Sequence, residues 1–436
     1  LVGLAAAGSL AAYLAPFAPD WALRINPHQP VALLAKADRL RDRLLAAIKQ
    51  DVTDDRAPSG GDGTTSQTAA GETARGPSPP VINHVERDRL RAEIRALAER
   101  VIAHHPLNAQ AYRMLGEIET DVDRARVFMQ AAAKRSRRET IAYFWLLNDS
   151  YRGGRPDEAA AHADVLLRTR PRLARYTMSY VVGLLGAEKG LAAVVERLAG
   201  NPPWRERFFD MLPRLARDQQ APLAVMVALR GAGDGPRPRE IKAYLDHLMA
   251  QGNASLAYYA WLQFLGDGQL AALGYVYNPG FERKPSGAPF DWRLARGQGA
   301  IAEIVERPDK RDDRALHIRF FGGGRVHFPR IAQTITLAPG NYRLSGIVRG
   351  EVAANRGLRW RVSCLFGAAG HTAGETEMLH GKFAKWQTFE AKIRVPEEPR
   401  CETQQLALIH DARSASEQLI SGEVWFDDIA IRRVDG

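Results

Sequence analysis

Two periodicities divide this chain. Up to about residue 271 the apolar residues recur at three- and four-residue spacing, the pattern of helices with one buried face. Leu33, Leu34, Ala37, Leu40, Leu44 and Leu45 carry it in the first stretch. Residues 84–270 keep it throughout, broken by turn signals at His105-Pro106, Gly153-Gly154, Arg170-Pro171, Asn201-Pro202-Pro203 and between Gly231 and Pro238. Pro156-Asp157-Glu158 suits a helix start, with proline in the first turn and acids at the positive end of the helix. Small residues at Ala111, Gly116, Ala125, Ala131, Ala159 and Ala163 predict close approach of neighbouring helices.

From 272 to 434 the period is two. Leu316, Ile318 and Phe320 alternate with His317 and Arg319. Tyr342, Leu344, Gly346 and Val348 alternate with Arg343, Ser345 and Arg349. Leu358, Trp360, Val362, Cys364 and Phe366 alternate with Arg359, Arg361 and Ser363. Strands with one buried and one wet face follow. The turns Ala338-Pro339-Gly340-Asn341 and Pro396-Glu397-Glu398-Pro399 separate them, which predicts an antiparallel sandwich. Glu375 and Glu377 lie in a Gly- and Thr-rich stretch that reads as a loop.

Two other segments have distinct compositions. Residues 1–19 carry no charge and are expected to be an apolar membrane anchor or signal-like segment, although a bilayer span takes about 20 residues. A buried N-terminal helix is the alternative. Residues 52–82 are rich in Gly, Ser, Thr, Pro and Asp and predict a disordered linker. The expected organisation is therefore 1–19 apolar segment, 20–51 N-terminal helices, 52–82 linker, 83–271 helical domain and 272–436 β-sandwich.

A length of 436 residues is too great for one core. The formal net charge is +10, which favours an acidic partner such as an anionic membrane surface or an acidic polysaccharide. The basic residues are scattered rather than run together, which argues against a nucleic-acid tail. The two cysteines, Cys364 and Cys401, lack metal-site or redox-motif spacing. They form either one disulfide or two separate buried thiols. No phosphate loop, dinucleotide fingerprint, zinc-protease helix or nucleophile elbow is present, and no pair of acids stands out as a glycosidase couple. His104-His105 reads as a solvated helix terminus.

Two resemblances add to this. His105-Pro106-Leu107-Asn108-Ala109-Gln110-Ala111-Tyr112-Arg113-Met114-Leu115-Gly116 resembles the first helix of a tetratricopeptide repeat. Ala142 to Leu147, followed by Gly154-Arg155-Pro156-Asp157-Glu158-Ala159, resembles the next unit, which Arg170-Pro171 closes. That resemblance implies a helical solenoid that docks a protein partner. Asn278-Pro279-Gly280-Phe281-Glu282 with Asp291-Trp292 opens the last third of the chain. Val424-Trp425-Phe426-Asp427-Asp428-Ile429-Ala430-Ile431 closes it. Between them, Ile331 to Leu337 runs into Pro339-Gly340-Asn341-Tyr342-Arg343-Leu344-Ser345, and Lys385-Trp386-Gln387-Thr388-Phe389 leads to Ile393-Arg394-Val395-Pro396. Residues 275–434 thereby resemble jelly-roll carbohydrate-binding modules. The resemblance implies a sugar ligand and structural positions for Trp292 and Trp386. It also implies a structural calcium held by Glu282 and Asp428, with Asp427 a third ligand, and oxygen donors of this kind suit calcium.

The fold class expected is thus a multidomain α-then-β chain, a helical tetratricopeptide-like solenoid followed by an antiparallel jelly roll. Trp360 and Tyr342 share the apolar phase and are expected in the core, while Phe321, Phe328, Phe383 and Trp425 are ambiguous in phase. The wet phase carries Arg319, Arg343, Arg349, Arg359 and Arg361. Planar guanidinium groups suit carboxylates, so these five arginines either bind an acidic glycan or solubilise the sheet. The expected role is non-catalytic binding of a polysaccharide by the sandwich and of a protein by the helices. The expected setting is the periplasm or cell surface of a bacterium, with inner-membrane anchoring and a part in exopolysaccharide synthesis or export. A pure assembly scaffold with a spacer sandwich and an accessory subunit or enzyme of glycan modification are the alternatives.

Overall fold

The computed structural model describes residues 9–54, 83–321, 325–366, 370–397 and 401–434. Residues 1–8 of the apolar segment and 55–82 of the expected linker lie outside them, as do Glu398 and Pro399 of the predicted turn. The chain divides into two compact units, Leu1–Trp204 and Arg205–Gly436.

The first unit is helical. Residues 9–14 form a short helix whose Ala11 is buried; Ala15, Ala22 and Ala32 make a small core of their own. Leu10, Tyr13 and Phe17 face outward. No helix among the described residues is long and apolar enough to cross a membrane. Helices Pro30–Asp54, His84–His104 and Ala109–Ile118 share a core that includes Leu33, Leu34, Ile94, Val101 and Met114. The starts of the last two are fixed by side-chain caps: Asn83 accepts from the Glu86 N–H at 2.9 Å, and Asn108 accepts from the Ala111 N–H at 3.0 Å. Consecutive helices then pack on each other as far as Glu188–Ala199. The close approach predicted at Gly116 is present. A Cβ there would lie 3.0 Å from the Met129 side chain. Among the buried polar groups, Arg113 stands 2.6 Å from Glu117 and 3.0 Å from Glu139. Burial raises the Glu139 carboxyl pKa while Arg113 opposes it. His104 is exposed, as expected for a terminus, and its ring lies 4.2 Å from that of His28.

The second unit begins with helices Arg205–Leu215, Ala221–Gly231, Pro238–Ala250, Ala254–Leu262 and Asp267–Ala271. The change of period near 271 marks where helix gives way to strand, but the compact units divide at Trp204 instead. The reason is packing. Tyr258 and Trp261 meet Phe290 at ring distances of 5.2 and 5.6 Å, Trp261 meets Tyr277 at 5.1 Å, and Arg293 pairs with Asp246.

Ten strands follow among the described residues: β1 (Arg293–Leu294), β2 (Ala300–Arg307), β3 (Lys310–Phe320), β4 (Ile331–Ile335), β5 (Gly340–Ala354), β6 (Leu358–Cys364), β7 (Thr372–Glu375), β8 (Gly381–Val395), β9 (Gln404–His410) and β10 (Ile420–Arg433). They form two five-stranded antiparallel sheets, ordered β1-β4-β9-β6-β7 and β2-β3-β10-β5-β8. This is an antiparallel jelly-roll sandwich behind a helical half. The alternation read in the sequence sorts its faces: Leu316, Ile318, Tyr342, Leu344, Trp360 and Val362 are in the shared core, together with Trp292 and Phe426. Glu375 lies in the short strand β7 rather than in a loop, because β6 offers its edge there, with Arg361 opposite Glu375. Cys364 at the end of β6 and Cys401 ahead of β9 form a disulfide with Cα atoms 4.8 Å apart.

Candidate functional site

Register decides what the five wet-phase arginines can do together. Arg319 is on β3, and Arg343 and Arg349 are on β5, all in the β2-β3-β10-β5-β8 sheet. Arg359 and Arg361 are on β6, in the other sheet. The two sheets turn their outer faces in opposite directions, so the five do not form one basic surface. Sequence phase distinguishes wet from dry; it does not say which sheet is wet. On the first of these faces Arg343 lies 3.6 Å from Glu390, Arg349 lies 3.8 Å from Asp309, and Arg319 sits over the Phe321 ring at 5.6 Å. Trp425, ambiguous in phase, is half-buried on that same face and stacks on His317 at 4.7 Å, while His317 Nε2 is 2.6 Å from Glu423.

The outer face of the other sheet carries a trough. Pairing aligns Ala332, Ala407, Arg361 and Glu375 in one row, and Thr334, Gln405 and Ser363 in the next. Ala332 and Thr334 are buried, and the 289–294 segment runs along the β4 edge beside them, where the Thr334 N–H donates to the Pro289 carbonyl at 2.9 Å. Beyond them the face opens into a cavity of about 380 Å³ bordered by His327, Phe328, Arg330, Gln405, Ala407, Ile409 and His410. Ala407 leaves a low floor between the taller Gln405 and Ile409 on the same face of β9. On the far side Glu375 binds both Arg359 and Arg361, the latter from Nε at 2.7 Å. Asp411 stands 3.5 Å from both Arg361 and Arg356. Burial holds the His410 imidazole below its ordinary pKa, and the backbone carbonyl of Arg356 lies 3.0 Å from its Nε2. The trough is thus furnished with an amide, guanidinium groups and carboxylates that donate and accept hydrogen bonds in fixed planes. The sequence singled out Arg359 and Arg361 and left Phe328 ambiguous in phase, but did not single out Gln405, His327 or Asp411. These meet only because β4 pairs with β9 across some 70 residues of chain, a separation invisible to local pattern.

The expected calcium ligands are distributed unevenly. Glu282 and Asp427 both approach Gly280, where a Cβ would lie 3.7 and 3.6 Å from their oxygens. Asp428 is exposed with φ +53°. Between the acids stands a cation already. Arg307 Nη1 is 2.8 Å from Asp427 and 3.3 Å from Asp313, and Lys310 Nζ is 2.8 Å from Asp313. Among the described residues no group of three or more His, Cys, Asp or Glu is arranged to hold a metal ion. Arg307 is thus the cation at Asp427 and Asp313, and burial outweighs it at Asp427. Burial pushes Asp427 up to about 7, opposed by the Asp428 N–H and by Arg307. Burial and the neighbouring Asp313 raise Glu282. Trp386 closes the cluster: its indole N–H donates to Asp309 at 2.8 Å and Arg307 lies over its ring at 4.4 Å. The structural position expected for Trp386 has this physical content.

No protein-family model matches the chain, and no curated protein matches it. Among solved structures, a family 4 carbohydrate-binding module is similar at 15% identity, over 36% of this chain and 99% of that one, with a TM-score of 0.27. A family 61 module in complex with β-1,4-galactotriose is similar at 17% identity, over 37% of this chain and 99% of that one, with a TM-score of 0.25. A β-1,3-glucan-binding family 6 module from Bacillus halodurans is similar at 15% identity, over 33% of this chain and 96% of that one, with a TM-score of 0.21. Scores this low carry no ligand across to this chain.

Proposed function

We propose that this is a non-catalytic glycan-binding protein of a bacterial cell envelope, with a polysaccharide lying in the trough on the outer face of the β1-β4-β9-β6-β7 sheet. The observation that carries the proposal is the trough floored by Ala407 and bordered by Phe328 and His327, with Arg359 and Arg361, held by Glu375, on the neighbouring strand opposite Ile409 and Ala407. A low floor admits a chain of rings, and planar groups held by their own ion pairs meet hydroxyl groups without first having to be ordered. The acids beside the trough, Glu375 and Asp411, are tied to arginines, which favours binding over acid–base work on a glycosidic bond. The packed helical hairpins of the first unit, with their tetratricopeptide-like sequence, support a docking role toward a protein partner of exopolysaccharide synthesis or export. The Cys364–Cys401 disulfide favours an oxidising compartment such as the periplasm.

The test is affinity electrophoresis of the full chain through gels containing neutral or acidic polysaccharides, beside Ala407→Tyr. The substitution raises the floor from a position that faces outward, so the fold should persist, and near-UV circular dichroism checks that it does. Retardation of the parent chain that Ala407→Tyr abolishes is the expected result. Equal retardation of both would place the sugar elsewhere, and no retardation in any gel would move the proposal to a protein scaffold.

A further inference from the structure

A second opening in the Arg205–Gly436 unit lies one strand over from the trough, on the far side of Thr334, which pairs with Gln405. It has a volume of about 600 Å³ and sits where the helix Ala254–Leu262 and the 273–277 segment meet the ends of β4 and β10. A cavity of this size is within the range of small-ligand sites. Its wall is aromatic. Trp261 and Phe290 are buried at the back, with ring centres 5.6 Å apart. In front of them stand Tyr258 and Tyr277, both half-buried, and Tyr275, which is 40% exposed. The rings hold one another. Trp261 meets Tyr277 edge-on at 5.1 Å, Tyr258 meets Phe290 at 5.2 Å, and Tyr275 meets Tyr342 at 5.4 Å. A wall of packed rings loses little freedom when a ligand arrives.

Charge is found at the rim. Arg432 and Arg433 both border the opening. Arg433 is in phase with Ile431 and opposite Tyr342 on β5, both buried. The strand alternation therefore directs Arg433 toward the open end of the space between the sheets, where it reaches water, and turns Arg432 to the outer face beside Arg343. Neither Arg432 nor Arg433 has a carboxylate within ion-pair distance among the described residues. Arg359 and Arg361, by contrast, share Glu375. An anion gains more from guanidinium groups that are not already neutralised.

We propose that this opening is a binding site for a carboxylate-bearing sugar, a uronic-acid residue or short oligomer, distinct from the trough. The tyrosine faces would take the apolar face of the sugar ring. Arg433 would take its carboxylate.

The experiment is isothermal titration of the full chain with the trimers of galacturonic, glucuronic and mannuronic acid and, as the neutral probe, galactotriose. At least one acidic trimer is expected to bind at one site per chain, and galactotriose about tenfold or more weaker, the scale of a lost charge-assisted hydrogen bond. Arg433→Ala should reduce acidic-trimer binding by a similar factor, as should Tyr275→Ala, while Arg432→Ala, on the outer face, should not. These side chains are exposed, and an unchanged melting temperature shows that the fold is kept. Ala407→Tyr, which blocks the trough, should leave trimer binding unchanged, so this proposal and the trough stand or fall separately. No binding of any acidic trimer, equal binding of galactotriose, an unaffected Arg433→Ala variant, or loss of trimer binding in Ala407→Tyr would overturn it.

Discussion

Replacing both cysteines with alanine tests how the sandwich is held closed. Cys364 ends β6 and Cys401 precedes β9, two strands that lie side by side. The chain between them does not return directly. It forms β7 in the same sheet, crosses to the other sheet as β8 and comes back, so the disulfide closes an excursion of 37 residues. Loop-closure entropy for that separation stabilises the folded state by about 4 kcal/mol at 25 °C. Domains are commonly stable by only about 5–15 kcal/mol, so the loss is a large share of the total. Both cysteines are buried, and alanine at these positions adds a small packing loss in the same direction. Hydrogen exchange followed by mass spectrometry under increasing denaturant is the suitable assay, because peptides from β6 and β9 report the sandwich without interference from the helical unit. Protection of those peptides should be lost at a free energy lower by about 3–5 kcal/mol in Cys364→Ala/Cys401→Ala. A difference under about 1 kcal/mol, or two reactive thiols in the denatured, unreduced parent chain, would refute the reasoning.

Other outcomes follow from particular residues. Asp427 has a folded pKa of about 7, above its unfolded value, so the folded state binds that proton more tightly. Its contribution to stability is full below the ordinary carboxylate range and is lost as pH rises toward and through about 7. Asp427→Asn should flatten this fall in a series of denaturant melts from pH 4 to pH 8, and an unchanged slope would rule the group out. Gly350 has φ +119°, and a Cβ there would run into the Glu423 carbonyl of β10. Gly350→Ala should therefore destabilise the sandwich by about 2 kcal/mol or more, read as a lowered melting temperature. With Arg307 serving the acids at Asp427 and Asp313, a chelator should leave the melting temperature unchanged. A rise on adding calcium would show that the metal displaces the guanidinium.

What the sequence determined by itself is local in origin. The switch from a period of three and four to a period of two marked helix and strand and sorted Tyr342, Leu344, Trp360 and Val362 to the core. The motifs around Phe281, Trp292 and Phe426 marked the ends of the sandwich, and all three rings are buried in it. These features depend on side-chain direction within one element, which the order of residues fixes. Tertiary structure decided which strands are neighbours. That put Arg319, Arg343 and Arg349 on one sheet and Arg359 and Arg361 on the other, made a strand of the Glu375 segment, and set Gln405 beside Ser363. It joined Cys364 to Cys401, a pairing that the sequence had left open against two separate thiols. It also inserted Arg307 among acids where a metal had been expected, and drew the helix bearing Tyr258 and Trp261 against Phe290. Each of these contacts joins residues far apart in sequence, and each depends on pairing and packing across the whole unit rather than on the pattern of any one segment.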